Sequence, residues 1–113
     1  MIYQEIIPIA KRQAELHLAD TDISLICETL VRLAYHEPDW QWVQEQCLRF
    51  CKHDNIEVKR LAIICLGHLA RIHGTLNMDL INPILTELLK DKDVSGTVEN
   101  TLDDIKIFIN PEE

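Results

Sequence analysis

The chain is short of aromatic side chains, of glycine and of positive charge, and each shortage removes a class of protein. Aromatics make up 5% of the 113 residues, too few for the cross-strand and inter-sheet packing of a sandwich or barrel. Three glycines cannot build a phosphate-cradling loop, and no G-x-S-x-G nucleophile elbow occurs. Eleven Lys and Arg against nineteen Asp and Glu give a formal net charge of −8. Nucleic acid and anionic membrane both demand a basic footprint, so neither is expected as a partner. No apolar run approaches membrane-spanning length. Met1–Glu5 lacks the basic start and apolar stretch of a signal peptide, and a cytoplasmic protein is expected.

What remains is 47% hydrophobic, drawn chiefly from Leu, Ile and Ala, in a chain long enough to bury about two-thirds of its unfolded surface. That composition describes one compact helical domain spanning 1–113. The four cysteines stand at apolar helix positions, which suits reduced thiols in a core better than a disulfide framework.

The stretch Asn55–Gly74 carries the clearest pattern. Ile56, Val58, Leu61, Ala62, Cys65, Leu66, Leu69 and Ile72 recur at spacings of three and four, one wide stripe on a helix face. Asp54 and Glu57 form a D-x-x-E box at its start, and Gly74 provides the stop. Similar patterns predict five more helices. The first opens at Pro8, with Ile9, Ala10, Ala14, Leu16 and Leu18 apolar. The second follows Asp22 and ends at Pro38; the third is capped by Asp39 and carries Trp40, Val43, Cys47, Leu48, Phe50 and Cys51. The fifth runs through Leu80 to Leu89 with Pro83 in its first turn. The sixth is capped by Asp93, carries Val94, Val98, Leu102, Ile105 and Phe108, and ends at Asn110-Pro111.

Ile23, Val58 and Val94 open the even-numbered helices at separations of 35 and 36 residues, close to the period of paired-helix solenoids. The expected fold is all-α, three antiparallel hairpins at about 8–36, 39–74 and 78–109, stacked as a short solenoid. In the 35-to-36 register Glu28, Ile63 and Glu99 are equivalent, as are Arg32, Gly67 and Asp103, and His36, Arg71 and Ile107. These rows would line a concave partner-binding surface. Gly67 inside a helix costs about 1 kcal/mol relative to Ala, which points to a close approach there by a neighbour or a ligand.

Catalytic and metal chemistry finds little to work with. Cys47, Cys51 and His53 have the wrong spacing for a zinc knuckle, and the thiols alternate with Leu48 and Phe50 on an apolar stripe. His36-Glu37 cannot begin an H-E-x-x-H helix, because Pro38 intervenes and Trp40 stands where the second His belongs. Glu99, Asp103 and Asp104 form an acidic face better suited to docking Arg and Lys than to acid–base work. No cofactor is expected, and no enzyme.

Two features suit binding. Tyr35, Glu37, Asp39, Trp40 and Trp42 crowd one loop, aromatic anchors beside acids. The even-helix rows add Glu28, Arg32, Arg71, Glu99, Asp103 and Asp104. Residues 91–113 hold seven acids and two lysines, a field that a basic protein partner would complement.

The run from Asn55, with Val58, a basic residue, then small and apolar residues to Leu66-Gly67-His68-Leu69, resembles the second helix of a HEAT-like repeat. INPILTELLKDKDV, from Ile81, resembles an outer helix and its turn. A small acidic protein of this kind without catalytic motifs also resembles immunity proteins that neutralise bacterial toxins, including those of contact-dependent growth inhibition systems. The resemblance implies a non-enzymatic protein that occludes the basic cleft of a toxin, a nuclease among the candidates. HEAT-like adaptors and phycobilin-lyase-type HEAT proteins are the other classes it admits. HEAT-like DNA glycosylases need a basic concave face, which this chain does not offer.

Overall fold

The computed structural model describes residues 5–109. It contains six helices: α1 (Lys11–Leu18), α2 (Ile23–His36), α3 (Trp40–Phe50), α4 (Ile56–His73), α5 (Met78–Leu88) and α6 (Ser95–Ile109). No strand occurs among the described residues. The expected Asn110-Pro111 stop lies outside them. Consecutive helices pair as α1/α2, α3/α4 and α5/α6, and α4 packs against α2, α3 and α6 at once. The stack measures 37 × 32 × 29 Å, so three hairpins make a stubby block rather than an elongated rod.

The helix starts share a device. At three of them the residue two places ahead accepts the backbone N–H of the cap position, Asp20 from Asp22 at 2.9 Å, Glu37 from Asp39 at 3.0 Å and His53 from Asn55 at 2.9 Å, and in the turn before α6 Asp91 accepts from Asp93 at 3.0 Å in the same way. The side chains of Asp22 and Asp39 then accept from Leu25 and Trp42, both at 3.2 Å, taking up orphan donors of α2 and α3. In α4 the cap is Asn55, accepting from Glu57 at 2.9 Å and Val58 at 3.1 Å, and not Asp54. Asn55 is as good a cap as Asp, and it is the residue that immediately precedes the helix. Gly74 ends α4 at φ 70°, its N–H on the Ala70 carbonyl at 2.8 Å, in the left-handed region that favours glycine.

Three other expectations shift. Residues 5–10 are extended rather than helical, so Pro8 lies in an arm ahead of α1, and Leu16 is 64% exposed. Pro83 sits at the sixth position of α5, past the first turn. It is exposed, as is Asp79, whose carbonyl loses a donor and is left to water. The sixth helix starts at Ser95, with the Asp91 carbonyl receiving the N–H groups of both Val94 and Ser95, while Asp93 stays in the preceding turn.

Burial reveals the true register of the repeat. Ile26, Ala62 and Val98 are buried, as are Thr29, Cys65 and Thr101, and Leu33, Leu69 and Ile105. Each set is spaced by 36 residues at both steps, one more than the 35 read between Ile23 and Val58. The odd helices repeat a simpler motif, buried pairs four apart at Ala14/Leu18, Cys47/Cys51 and Ile81/Leu85. The core is one cluster threaded by α4, whose Val58, Ala62, Ile63, Cys65, Leu66, Leu69 and Ala70 are all fully buried. Buried polar groups are satisfied: Gln44 accepts the Asn77 N–H at 2.8 Å, tying α3 to the start of α5, and Thr29 donates to the Leu25 carbonyl at 2.7 Å.

Candidate partner-binding surface

The register sets the rows of the even-helix face. Ile63 and Gly67, expected on an open row, are buried under α6, where Thr101 Oγ1 donates to the Ile63 carbonyl at 3.4 Å. The open stripe of α4 is Glu57, Arg60, Ile64, His68 and Arg71. With a 36-residue period Arg32 becomes equivalent to His68 and Asp104, and Tyr35 to Arg71 and Ile107. Glu28 falls beside Ile64 and Asn100.

Those rows bring four polar or aromatic groups together. The Tyr35 ring meets the His68 ring edge-on at 5.2 Å, and the Arg71 guanidinium lies 5.9 Å from the Tyr35 ring centre. Arg71 Nη2 reaches His68 Nδ1 at 3.4 Å, and an arginine can only donate, so Nδ1 accepts. Burial first, then the Arg71 cation, hold the His68 pKa below its ordinary 6.5, against an opposing pull from Asp104. His68 is not singled out by the sequence reading, although a histidine three residues before Arg71, on the same face of the helix, is the available signal.

Arg32 is already engaged. Its Nε donates to the Ile7 carbonyl at 3.0 Å and its Nη2 to the Pro8 carbonyl at 2.9 Å, while Nη1 lies 3.8 Å from Glu28. His36 Nε2 donates to the Ile6 carbonyl at 2.7 Å. Together they strap the extended arm along α2. Between arm and helices lies a groove of about 460 Å³ lined by Ile7, Cys27, Val31 and Leu61.

The tryptophans divide the work of pinning the α2–α3 loop. Both are half-buried against the core. Lys11 stands 5.3 Å above the Trp42 ring and pairs with Asp39, which lowers the Asp39 pKa and raises that of Lys11. Glu37 is spent on the Asp39 N–H.

The acids of α6 separate. Asp104 faces α4, its Oδ2 3.6 Å from where a Cβ on Gly67 would stand. Glu99 and Asp103 face the other way, onto a groove of about 560 Å³ between α5 and α6 whose floor includes Met78, Leu89, Leu102 and Ile105. Neither carboxylate forms an ion pair among the described residues. By contrast Lys59 and Asp91, 2.9 Å apart, couple the start of α4 to the turn before α6, and the lysine holds the Asp91 carboxyl below the usual carboxylate range.

No group of three or more His, Cys, Asp or Glu able to hold a metal occurs among the described residues. Cys47, Cys51 and Cys65 are buried thiols. The Cys47 pKa is driven well up by a hydrogen bond with Cys65 and by burial, and burial pushes Cys51 up to about 12. Such thiols are poor nucleophiles and poor ligands. No described helix is long and apolar enough to cross a membrane.

A solved structure resembles nearly the whole chain. A chain of the crystal structure of a CDI complex from Cupriavidus taiwanensis LMG 19424 superposes with a TM-score of 0.83 at 30% sequence identity, covering 96% of this chain and 97% of that one. The protein belongs to that chain's family. Within this CDI-complex family the near-complete coverage in both directions extends to all three hairpins, so the stack is shared rather than a single repeat unit. Comparison with protein-family models and with curated proteins gives no match.

Proposed function

We propose that this protein is an immunity protein of a contact-dependent growth inhibition pair, a non-enzymatic cytoplasmic protein that binds a toxin and blocks its active site. The observation that carries this reading is the 30% identity, over 96% of the chain, to a chain from a CDI complex. A net charge of −8 supports a basic toxin, and a nuclease, whose cleft must attract phosphate, is the class that fits best. Neutralisation on this account is mass action: charge raises the encounter rate, and apolar contact sets the residence time.

The experiment is co-expression with the toxin domain of the pair to which this reading assigns the protein. Cells making both should grow, and cells making the toxin alone should not. Continued growth arrest with the protein present in excess would sink the reading.

A further inference from the structure

We propose that the groove between α5 and α6 is the dock for a basic amphipathic helix of the partner. This rests on the toxin-binding reading for the identity of that partner, though not for the chemistry of the groove. The floor is apolar, with Met78 from α5, Leu89 just past its end and Leu102 from α6, and one wall carries Glu99 and Asp103. From Met78 to Leu89 the groove spans about 16 Å at 1.5 Å per residue, three helical turns of an occupant. Glu99 and Asp103 stand one turn apart on α6, about 6 Å along the axis, which is the rise between Lys or Arg residues at i and i+4 of a second helix. Lys106, a turn beyond Asp103 on the same wall, asks for an acid at the matching end of the occupant and so sets its direction.

Charge complementarity singles out this groove over the other surfaces. The even-helix face is mixed, with Arg60 and Arg71 beside Glu57 and Asp104, and the arm groove is already strapped through Arg32 and His36. In the α5/α6 groove both acids are free of ion pairs among the described residues, and α5/α6 is the last hairpin, with no further helix pair among the described residues to cover it. An unpaired carboxylate beside an apolar floor gains most from a cation that arrives with its own apolar neighbours.

The test uses a fluorescent synthetic helix with a leucine stripe, lysines at i and i+4 on its flank and a glutamate one turn on, titrated in fluorescence polarisation at low and high salt. A second peptide has the three charges reversed. The native protein should bind the first peptide, less tightly at high salt. The double variant Glu99→Lys, Asp103→Lys should bind it at least about tenfold more weakly, as expected from turning two attractive pairs into repulsive ones. The variant should prefer the reversed peptide. Both positions are exposed, so circular dichroism should be unchanged. Equal binding of the first peptide by native and variant protein would overturn the proposal. A toxin that the native protein and the double variant neutralise equally would overturn it too, while leaving the immunity reading intact. Failure of the native protein to bind any toxin would instead remove that reading, and the peptide titration would still decide the groove.

Discussion

At the scale of single residues, thiol chemistry and one histidine follow from burial. Cys47, Cys51 and Cys65 are sealed in the core, and Cys27 is half-exposed in the arm groove, its pKa raised chiefly by burial. Alkylation of the native protein should therefore modify Cys27 alone, slowly, and the other three only on unfolding, as peptide mass mapping would show; rapid native labelling of Cys47 would contradict the packing. His68 is held neutral, with its folded pKa below 6.5, so the unfolded chain takes up this proton first as the pH falls. Its contribution to stability is complete above that value and is lost as the pH drops through the folded pKa. Paired Asp39 and Asp91, whose pKa values are lowered, add a separate loss at more acid pH, below the ordinary 3.8. His68→Gln should flatten the fall of Tm below pH 6.5 and leave the acid limb unchanged; identical profiles for the two proteins would refute this.

At the scale of elements, helix type and order were legible because alternating three-four apolar spacing needs no tertiary information, and the caps at Asp22 and Asp39 and the stop at Gly74 announce themselves by chemistry. What escaped was register. A period judged from helix starts slips whenever one helix begins early or late relative to its buried stripe, as α4 does: it starts at Ile56, six residues before buried Ala62, whereas α2 and α6 start three residues before Ile26 and Val98. That one-residue slip put Ile63 and Gly67 on an open row in place of Ile64 and His68. The extended arm at 5–10 was hidden for a different reason: its partners, Arg32 and His36, lie 24 to 30 residues away. The close approach expected at Gly67 is present but ordinary. A Cβ there would lie 3.6 Å from Asp104 Oδ2 and 3.7 Å from Thr101 Cγ2, ordinary contact distances, so the α4–α6 approach does not require glycine. Gly67→Ala should stabilise the protein by about 0.5–1 kcal/mol through helix propensity, measured as a higher denaturant midpoint with an unchanged slope. Destabilisation would mean that α4 and α6 pack more tightly than these distances allow.

At the scale of the whole molecule, the acidic partner-binding residues anticipated from sequence do not form one surface. Asp104 joins Tyr35, His68 and Arg71 on the even-helix face, Glu99 and Asp103 line the α5/α6 groove, and Trp40 and Trp42 pin the loop between α2 and α3. Which residues share a face depends on how the helices rotate in the stack, which charge counts along the chain do not encode. On the toxin-binding reading the molecule is a net-negative block, and neutralisation by it must be stoichiometric. The most direct measurement is calorimetric titration of the protein with the purified toxin domain of the proposed pair, with toxin activity assayed on the same samples. The account predicts a saturable one-to-one complex, weakened by salt, in which activity falls in proportion to the protein added and vanishes at equivalence. A toxin that releases no heat on mixing and stays active in excess protein would contradict it.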